Sequence, residues 1–115
     1  MDTLLVFTNF PDRAAAERMA QVLVEGGLAA CVNLMASCRS VYHWQGATET
    51  AEEVPLVIKT TGAKYLALQQ AIVDMHPYEL PEIVAVPVTH GLPAYLAWVA
   101  EATGGPAASR TAGAA

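Results

Sequence analysis

Charged side chains are scarce in this sequence of 115 residues. Lys, Arg, Asp and Glu together make up 15% of it, whereas 54% of the residues are hydrophobic. An average soluble domain contains about 25% charged residues. No apolar run approaches the roughly 20 residues that a membrane-spanning helix needs, so no membrane partner is expected. The excess of hydrophobic residues therefore predicts a surface that becomes buried between subunits.

Basic residues are few as well. The chain has six Lys and Arg residues and a formal net charge of −5. They are scattered, whereas nucleic-acid binders present a basic stripe. The start of the chain, Met1-Asp2-Thr3, lacks the basic region of a secretory signal. We therefore expect a cytoplasmic protein without a nucleic-acid partner.

Cysteine is nearly absent. The two cysteines, Cys31 and Cys38, are too few for a disulfide framework, so both are expected to be reduced thiols. Together with Met35 they offer soft sulfur ligands for Cu(I). In one straight strand, however, the two cysteines would lie about 23 Å apart. The simpler interpretation of Cys31 is a small buried hydrophobic residue.

The periodicity of the apolar residues predicts three helices. The first runs from Arg13 to Glu25 with Asp12 as its N-cap. The second follows Gly62 and ends before Pro77, and the third begins near Pro93. The predicted buried faces are, in chain order, Ala16, Met19, Ala20 and Leu23; Tyr65, Leu68, Ile72 and Met75; and Leu92, Tyr95, Leu96 and Val99.

Extended segments alternate with these helices. They are residues 3–9, 30–44 with a bend at 36–37, 54–60 and 83–89. The polar segment 45–52 contains Gly46 and is expected to be a hairpin loop. Pro55 is expected near the start of its strand, and Pro87 favours a sheet edge for the last strand.

This order predicts an α/β (α+β) fold. It is a ferredoxin-like β-α-β-β-α-β unit plus a C-terminal helix, with an antiparallel sheet whose second and fourth strands are the edges. The domain covers residues 1–103, and residues 104–115 are predicted to be a flexible tail because they lack hydrophobic anchors. The long second strand would leave an exposed edge, so we expect it to pair with another copy of the chain.

Polar and aromatic residues are densest in the segment 76–82. Pro77 and Pro81 stiffen the segment, so its polar side chains point in defined directions; these are His76, Tyr78, Glu79 and Glu82. Imidazole, phenol and carboxylate groups held in this way could bind a metal or move protons. The alternative interpretation is a rigid connector between a helix and a strand.

Three further residues in predicted strands are candidates for a site. Tyr42 and Trp44 lie near a predicted strand end, where aromatic residues suit a subunit interface first and a ligand pocket second. Lys59 is a lone cation in an apolar strand, on the face of Val57 and opposite Ile58. We expect it to pair with a carboxylate, or else to bind an anion. No HExxH, P-loop, GxGxxG or GxSxG motif occurs, so no catalytic residue is assigned.

Five segments together carry a family resemblance. They are AACVN at 29–33, YHWQG at 42–46, LVIKT at 56–60, HPYELPEI at 76–83 and YLAW at 95–98. In this order they closely resemble the CutA divalent-cation tolerance family over about residues 3–103. The resemblance implies a tight cytoplasmic homotrimer without enzymatic activity that takes part in the response to divalent metal ions. Copper binding is attributed to the family, and no cofactor is required.

The resemblance also implies site residues near clefts between subunits. The metal-binding candidates, for copper or another divalent cation, are Cys31, His76 and Glu79. The ligand-binding candidates are Tyr42, Trp44, Lys59, Tyr78 and Glu82. Some bacterial members carry three cysteines linked with copper; only Cys31 matches one of them, because Thr8 and Ala71 occupy the other two positions.

Two alternative functions remain open at this point. The trimer architecture is similar to that of PII signalling proteins, which favours a small-molecule binding or signalling trimer whose effect on metal tolerance is indirect. An enzyme is the third interpretation, since Lys59, His76, Tyr78 and Glu79 carry groups used in acid–base chemistry. No set of nucleophile, base and orienting residue can be named for it.

Overall fold

The computed structural model describes residues 2–104 of the chain. The elements are β1 Thr3–Phe10, α1 Arg13–Glu25, β2 Cys31–Leu34, β3 Cys38–Trp44, β4 Ala47–Thr61, α2 Gly62–Met75, β5 Ile83–Pro87 and α3 Pro93–Ala102. None of the helices in this part of the chain has both the length and the apolar character needed to cross a membrane. The predicted flexible tail, residues 104–115, lies outside the described residues apart from Gly104.

The five strands form one antiparallel sheet. Its hydrogen-bonded order is β2-β4-β1-β5, and β3 pairs with the outer part of β4. The predicted ferredoxin-like arrangement is therefore confirmed, with β2 and β5 at the edges. Pro87 ends the edge strand β5, where a residue without an N–H is tolerated.

Helices α1 and α2 cover one face of the sheet. Side chains alternate along a strand, so every second residue of β1 and β4 points toward these helices. The buried core consists of Val6, Phe10, Val54, Leu56 and Ile58 from the sheet, Ala16, Met19 and Leu23 from α1, Leu68 and Ile72 from α2, and Ala29 before β2. Most of the two predicted helix faces is confirmed, but Met75 ends α2 at the surface.

Helix α1 has the predicted bounds. Asp12 accepts a hydrogen bond of 2.8 Å from the N–H of Ala15, which satisfies one of the unpaired donors of the first turn. After Glu25 the chain turns through Gly27, whose φ of +71° few residues other than glycine adopt without strain. Strong local signals thus set both ends of this helix.

The hairpin formed by β3 and β4 corrects one prediction. Segment 45–52 is not a loop: β4 begins at Ala47, and Gln45 and Gly46 make the turn with φ values of 50° and 83°. Positive φ at both residues is what a two-residue hairpin turn requires. The prediction was wrong because the residues of this segment are mostly exposed on both faces, so its sequence lacks apolar alternation. Pro55 consequently lies in the middle of β4 rather than near its start.

The outer part of this hairpin projects beyond the sheet. β1 pairs with residues 54–61 of β4, whereas β3 pairs with residues 47–53. We call residues 38–53 the ribbon. Its seven residue pairs, at roughly 3.3 Å per residue, extend over about 23 Å. The molecule accordingly measures 52 × 27 × 24 Å.

Helix α3 corrects a second prediction. The helix contacts β4 and β1, and Val99 is fully buried. Leu96 is half-buried, but the other two members of the predicted buried face are not covered, since Leu92 is 71% exposed and Tyr95 is 40% exposed. The spacing identified an apolar helix face correctly, but the fold of one chain leaves much of that face in water.

Candidate functional site

A cleft with a volume of about 980 Å³ separates the ribbon from the segment that joins α2 to β5. Small-molecule pockets commonly measure about 300–1,000 Å³. The ribbon contributes Ser40, Val41, Tyr42, Trp44 and Glu53 to its lining, and the rest comes from Asn9 and residues 77–84. The cleft therefore combines the two aromatic clusters that the sequence analysis singled out.

His76 holds the connecting segment in place from the protein interior. Its ring packs on Phe10 with the centroids 4.3 Å apart, and on Tyr78 at 4.8 Å. Nδ1 lies 3.1 Å from the backbone nitrogen of Tyr78, and Nε2 lies 2.6 Å from the carbonyl oxygen of Asn9. A backbone N–H can only donate and a carbonyl oxygen can only accept, so Nδ1 is the acceptor and Nε2 carries the proton. His76 has no remaining lone pair for a metal ion in this arrangement.

The three predicted metal ligands do not meet within one chain. Cys31 on β2 pairs with Lys59 on β4, which in turn pairs with Leu5 on β1. His76 is bonded to Asn9, which lies four residues further along β1 than Leu5. That separation along the strand is about 13 Å. Across residues 2–104, no group of three or more His, Cys, Asp or Glu side chains is placed to hold a metal ion. The residues present therefore do not fit a copper site built from Cys31, His76 and Glu79 of a single chain.

Tyr78 joins the connecting segment to the ribbon. Its hydroxyl donates a hydrogen bond of 3.0 Å to a carboxylate oxygen of Glu53. Burial, helped by this bond and by the negative charge of Glu53, raises the pKa of Tyr78 to about 12. Glu53 is only 8% exposed. A nearly buried carboxylate thus lies in the cleft with a phenol as its neighbour.

The cleft has a negative lining. Besides Glu53 it contains Glu79, which is exposed, and Glu82, whose Oε1 accepts a hydrogen bond of 2.9 Å from the side-chain amide of Asn9. The described residues that line it include no Lys or Arg. These lining residues therefore supply no positive charge to balance the carboxylates.

The structure brings together five of the eight predicted site residues. Those lining the cleft are Tyr42, Trp44, Tyr78, Glu79 and Glu82, and His76 lies behind them. Sequence reasoning missed Asn9 and Glu53 as part of this site. Glu53 is the last polar residue before an apolar run, and its inward position follows only once the ribbon is known to be a strand.

Lys59 and Cys31 lie elsewhere, on the sheet face opposite α1 and α2. Lys59 donates to the side-chain oxygen of Asn33, so its partner is an amide rather than the predicted carboxylate. Burial raises the pKa of Tyr95, and the neighbouring Cys31 adds to this effect.

Comparison with known proteins reveals relatives along almost the whole described chain. The family model for the CutA1 divalent ion tolerance protein matches residues 4–102. The chain is 40% identical over 100 residues to the divalent-cation tolerance protein CutA of Thermus thermophilus, covering 87% of this chain and 97% of that protein. It is 41% identical over 97 residues to Protein CutA of Mus musculus, which covers 84% of this chain. The match spans 55% of the mouse protein, about half its length.

Solved structures agree with the fold. CutA from Xylella fastidiosa superimposes with a TM-score of 0.87 at 42% identity, covering 90% of this chain and 99% of that one. CutA from Archaeoglobus fulgidus, named a periplasmic divalent cation tolerance protein, gives a TM-score of 0.85 at 34% identity over 88% and 98% of the two chains. Sequence and fold point the same way, and the chain belongs to the CutA1 divalent ion tolerance family.

Proposed function

We propose that this chain assembles into a homotrimer that serves divalent-cation tolerance as a non-enzymatic binding protein of the cytoplasm. The family to which the chain belongs supports the role in metal tolerance. The observation that carries the assembly is the apolar sheet face that α1 and α2 leave uncovered.

That face is built from the side chains that alternate with the core. Leu5 and Phe7 on β1 lie beside Val86 and Val84 on β5, and Val57 on β4 lies on the other side of Phe7. Val84 is 51% exposed and Val86 is 43% exposed. Contiguous exposed aliphatic side chains mark interaction surfaces. Covering them with another copy contributes about 25 cal/mol for each Å² of apolar surface removed from water.

The ribbon gives a second reason for assembly. A two-stranded hairpin is only marginally stable by itself in water. Within residues 2–104 no strand pairs with the outer edge of β3, and Val41 on that strand is exposed. A neighbouring copy that adds a strand there would satisfy the unpaired backbone groups. The family resemblance, rather than this geometry, sets the number of subunits at three.

Light scattering of the full chain, coupled to size exclusion at micromolar concentration, tests the assembly. A trimer of a 12.1 kDa chain has a mass of about 36 kDa. Val84→Glu places a charge in the uncovered face and is expected to yield monomer. The matched control is Leu66→Glu on α2, at an exposed position away from that face, and it should leave the mass unchanged. A monomeric parent chain would overturn the proposal.

We also propose that metal tolerance does not depend on chelation by Cys31, His76 and Glu79 of one chain. Both ring nitrogens of His76 are engaged. Cys31 is offset from Asn9, the partner of His76, by about 13 Å along the strand direction and lies two strands away across the sheet. The proposed copper ligand is the thiol of Cys31, completed by groups that a neighbouring subunit would bring to the uncovered face. Thiolate is a soft ligand that suits Cu(I).

The cytoplasmic location is supported by the thiols. Cys31 and Cys38 are both free in the described chain, which suits a reducing compartment. The archaeal relative carries a periplasmic name, so cell fractionation with a specific antibody is the direct test. Recovery of the protein with periplasmic markers would refute this location.

A second candidate function is small-molecule binding or signalling, similar to that of PII trimers, with an indirect effect on metal tolerance. The observation that favours it is the cleft between the ribbon and residues 77–84, which contains a nearly buried carboxylate. A ligand that binds only the folded protein raises its Tm. Screening charged and neutral small molecules for such a rise tests this function, and a screen without any stabilising compound would count against it.

A further inference from the structure

We propose that His76 is a pH-sensitive switch for the segment 76–82, which joins α2 to β5. A neutral imidazole holds this segment against β1, and uptake of a second proton at Nδ1 releases it. Histidine ordinarily changes its charge between about pH 5 and 8, which sets the range of the switch. The switch uses the imidazole alone and depends neither on assembly nor on a bound ligand.

Both ring nitrogens are engaged in the neutral form. Nδ1 accepts a hydrogen bond of 3.1 Å from the N–H of Tyr78, and Nε2 donates one of 2.6 Å to the carbonyl oxygen of Asn9. A protonated imidazole carries an N–H on each nitrogen. The Nδ1–H and the N–H of Tyr78 would then be two donors that face each other. Turning the ring over does not remove this conflict, because either nitrogen of the charged ring is a donor.

His76 lies on the helix side of the sheet and is 9% exposed. Its backbone N–H donates to the carbonyl oxygen of Ile72 at the end of α2, and its ring packs on Phe10, a core residue. The apolar face that we propose another copy covers is on the other side of the sheet. Because the ring is nearly buried, water can replace its lost partner only after the segment has moved.

The charges around the ring do not offset a second proton. Neither β1 nor β5 contains a charged residue, and the charged residues of α1 are all exposed. Within residues 2–104 no carboxylate forms an ion pair with the imidazole. Lys64 and Tyr65 lie in the first turn of α2, about 17 Å away along the helix. The carbonyl end of α2 favours a positive charge at this position, which allows the proton to bind.

The surrounding carboxylates already have other partners or face water. Asp74 on α2 accepts a hydrogen bond from Gln70. Glu53 and Glu82 accept from the Tyr78 hydroxyl and from the Asn9 amide, respectively. Glu79, on the segment itself, is exposed. Relief of the conflict at Nδ1 therefore comes from movement of the N–H of Tyr78.

Movement of Tyr78 affects the ribbon as well. Its hydroxyl is bonded to Glu53 at 3.0 Å, and its ring packs on the imidazole with the centroids 4.8 Å apart. A shift of its backbone away from Nδ1 weakens this link to β4. The far end of the segment keeps the hydrogen bond from Asn9 to Glu82. Release should therefore begin at residues 77–79.

An NMR titration of the full chain from pH 8 to pH 5 tests the switch. The nitrogen resonance of Nδ1 reports the second proton, and the amide resonance of Tyr78 reports the hydrogen bond that is lost. The two should change together. Exchange of the Tyr78 amide, corrected for its intrinsic pH dependence, should rise severalfold, up to about tenfold. The proposal is overturned if the Tyr78 amide stays constant while Nδ1 gains its proton, or if Nδ1 gains none by pH 5.

Variants assign the response to one side chain. His76→Gln keeps one acceptor and one donor but does not titrate, so the segment should lose its pH response. The matched controls, His43→Gln and His90→Gln, change exposed imidazoles and should respond as the parent does. A response that persists in His76→Gln overturns the proposal.

Two carboxylate variants cover the case in which His76→Gln does not fold. Glu53→Gln and Glu82→Gln each retain an acceptor for their present donor while removing a titrating group. A pH response of Tyr78 that is retained in both variants supports His76 as the switch. Loss of the response in either variant would assign it to that carboxylate and overturn the proposal.

Discussion

The imidazole of His76 donates a hydrogen bond of 2.6 Å from Nε2 to the carbonyl oxygen of Asn9, and this bond ties the segment after α2 to the end of β1. The side chain of Asn9 in turn donates to Glu82 at the far end of the same segment. Both ends of the segment that lines the cleft are thus attached to one strand residue. His76 is a positioning residue for the cleft, although it does not line it.

Replacing His76 with alanine should therefore loosen this segment. The change leaves the carbonyl oxygen of Asn9 and the N–H of Tyr78 without their partner and removes the ring that packs on Phe10. Loss of a buried hydrogen-bond partner costs about 1–3 kcal/mol, so urea unfolding should show a loss in that range. His90→Ala changes an exposed imidazole and should cost less than about 0.5 kcal/mol. Equal stability of His76→Ala and the parent would contradict this role.

Copper binding should depend on Cys31 and not on Cys38. Cys31 lies on the sheet face that α1 and α2 leave uncovered, whereas Cys38 begins the ribbon, where its Sγ lies 3.8 Å from the hydroxyl of Ser40. We expect Cys31→Ser to lower Cu(I) binding by the assembled protein and Cys38→Ser to leave it unchanged. Competition with a chromophoric Cu(I) chelator measures both. Identical titrations for the parent and Cys31→Ser would rule out this thiol as the ligand.

Alkaline pH should weaken the contact between Tyr78 and Glu53. The pKa of Tyr78 in the folded protein, about 12, lies above the ordinary tyrosine value of 10.0, so the folded state holds the phenol proton more tightly. The stability that this contributes is fully present below about pH 10 and is lost as the pH rises toward 12. Unfolding free energies measured across this range should fall more steeply for the parent than for Tyr78→Phe. Parallel pH profiles would contradict the prediction.

The turn of the ribbon should be sensitive to the backbone of Gly46. Its φ is +83°, and a Cβ added there would meet no atom within 4 Å, so substitution acts through backbone strain alone. Gly46→Ala should destabilise the ribbon by about 1 kcal/mol and thereby weaken the trimer. Gly46→Asn should cost less, since asparagine tolerates left-handed backbone. Dilution of the assembly, followed by light scattering, measures the effect, and equal dissociation of both variants and the parent would contradict it.

Local signals explain which parts of the fold could be predicted. The bounds of α1 follow from the cap at Asp12, the apolar spacing and the glycines after Glu25, all of which lie within the segment itself. Strand β3 of the ribbon falls within the predicted extended segment 30–44, but the outer part of β4 could not be predicted in this way, because its residues are mostly exposed on both sides and carry no apolar alternation. The predicted burial of the apolar face of α3 was wrong in part for a different reason. Apolar spacing reports that a face avoids water, but it does not say whether the same chain or another copy covers that face.

By itself the sequence determined the element order, the core-facing helix positions and the family, because these depend on neighbouring residues and on an ordered set of segments. Only the tertiary structure decided which polar groups meet. Tyr78 and Glu53 are 25 residues apart and His76 and Asn9 are 67 apart. Contacts over such distances are set by strand register and by the path of the ribbon. The same strand register places Cys31 far from His76, and no local pattern of residues predicts that separation.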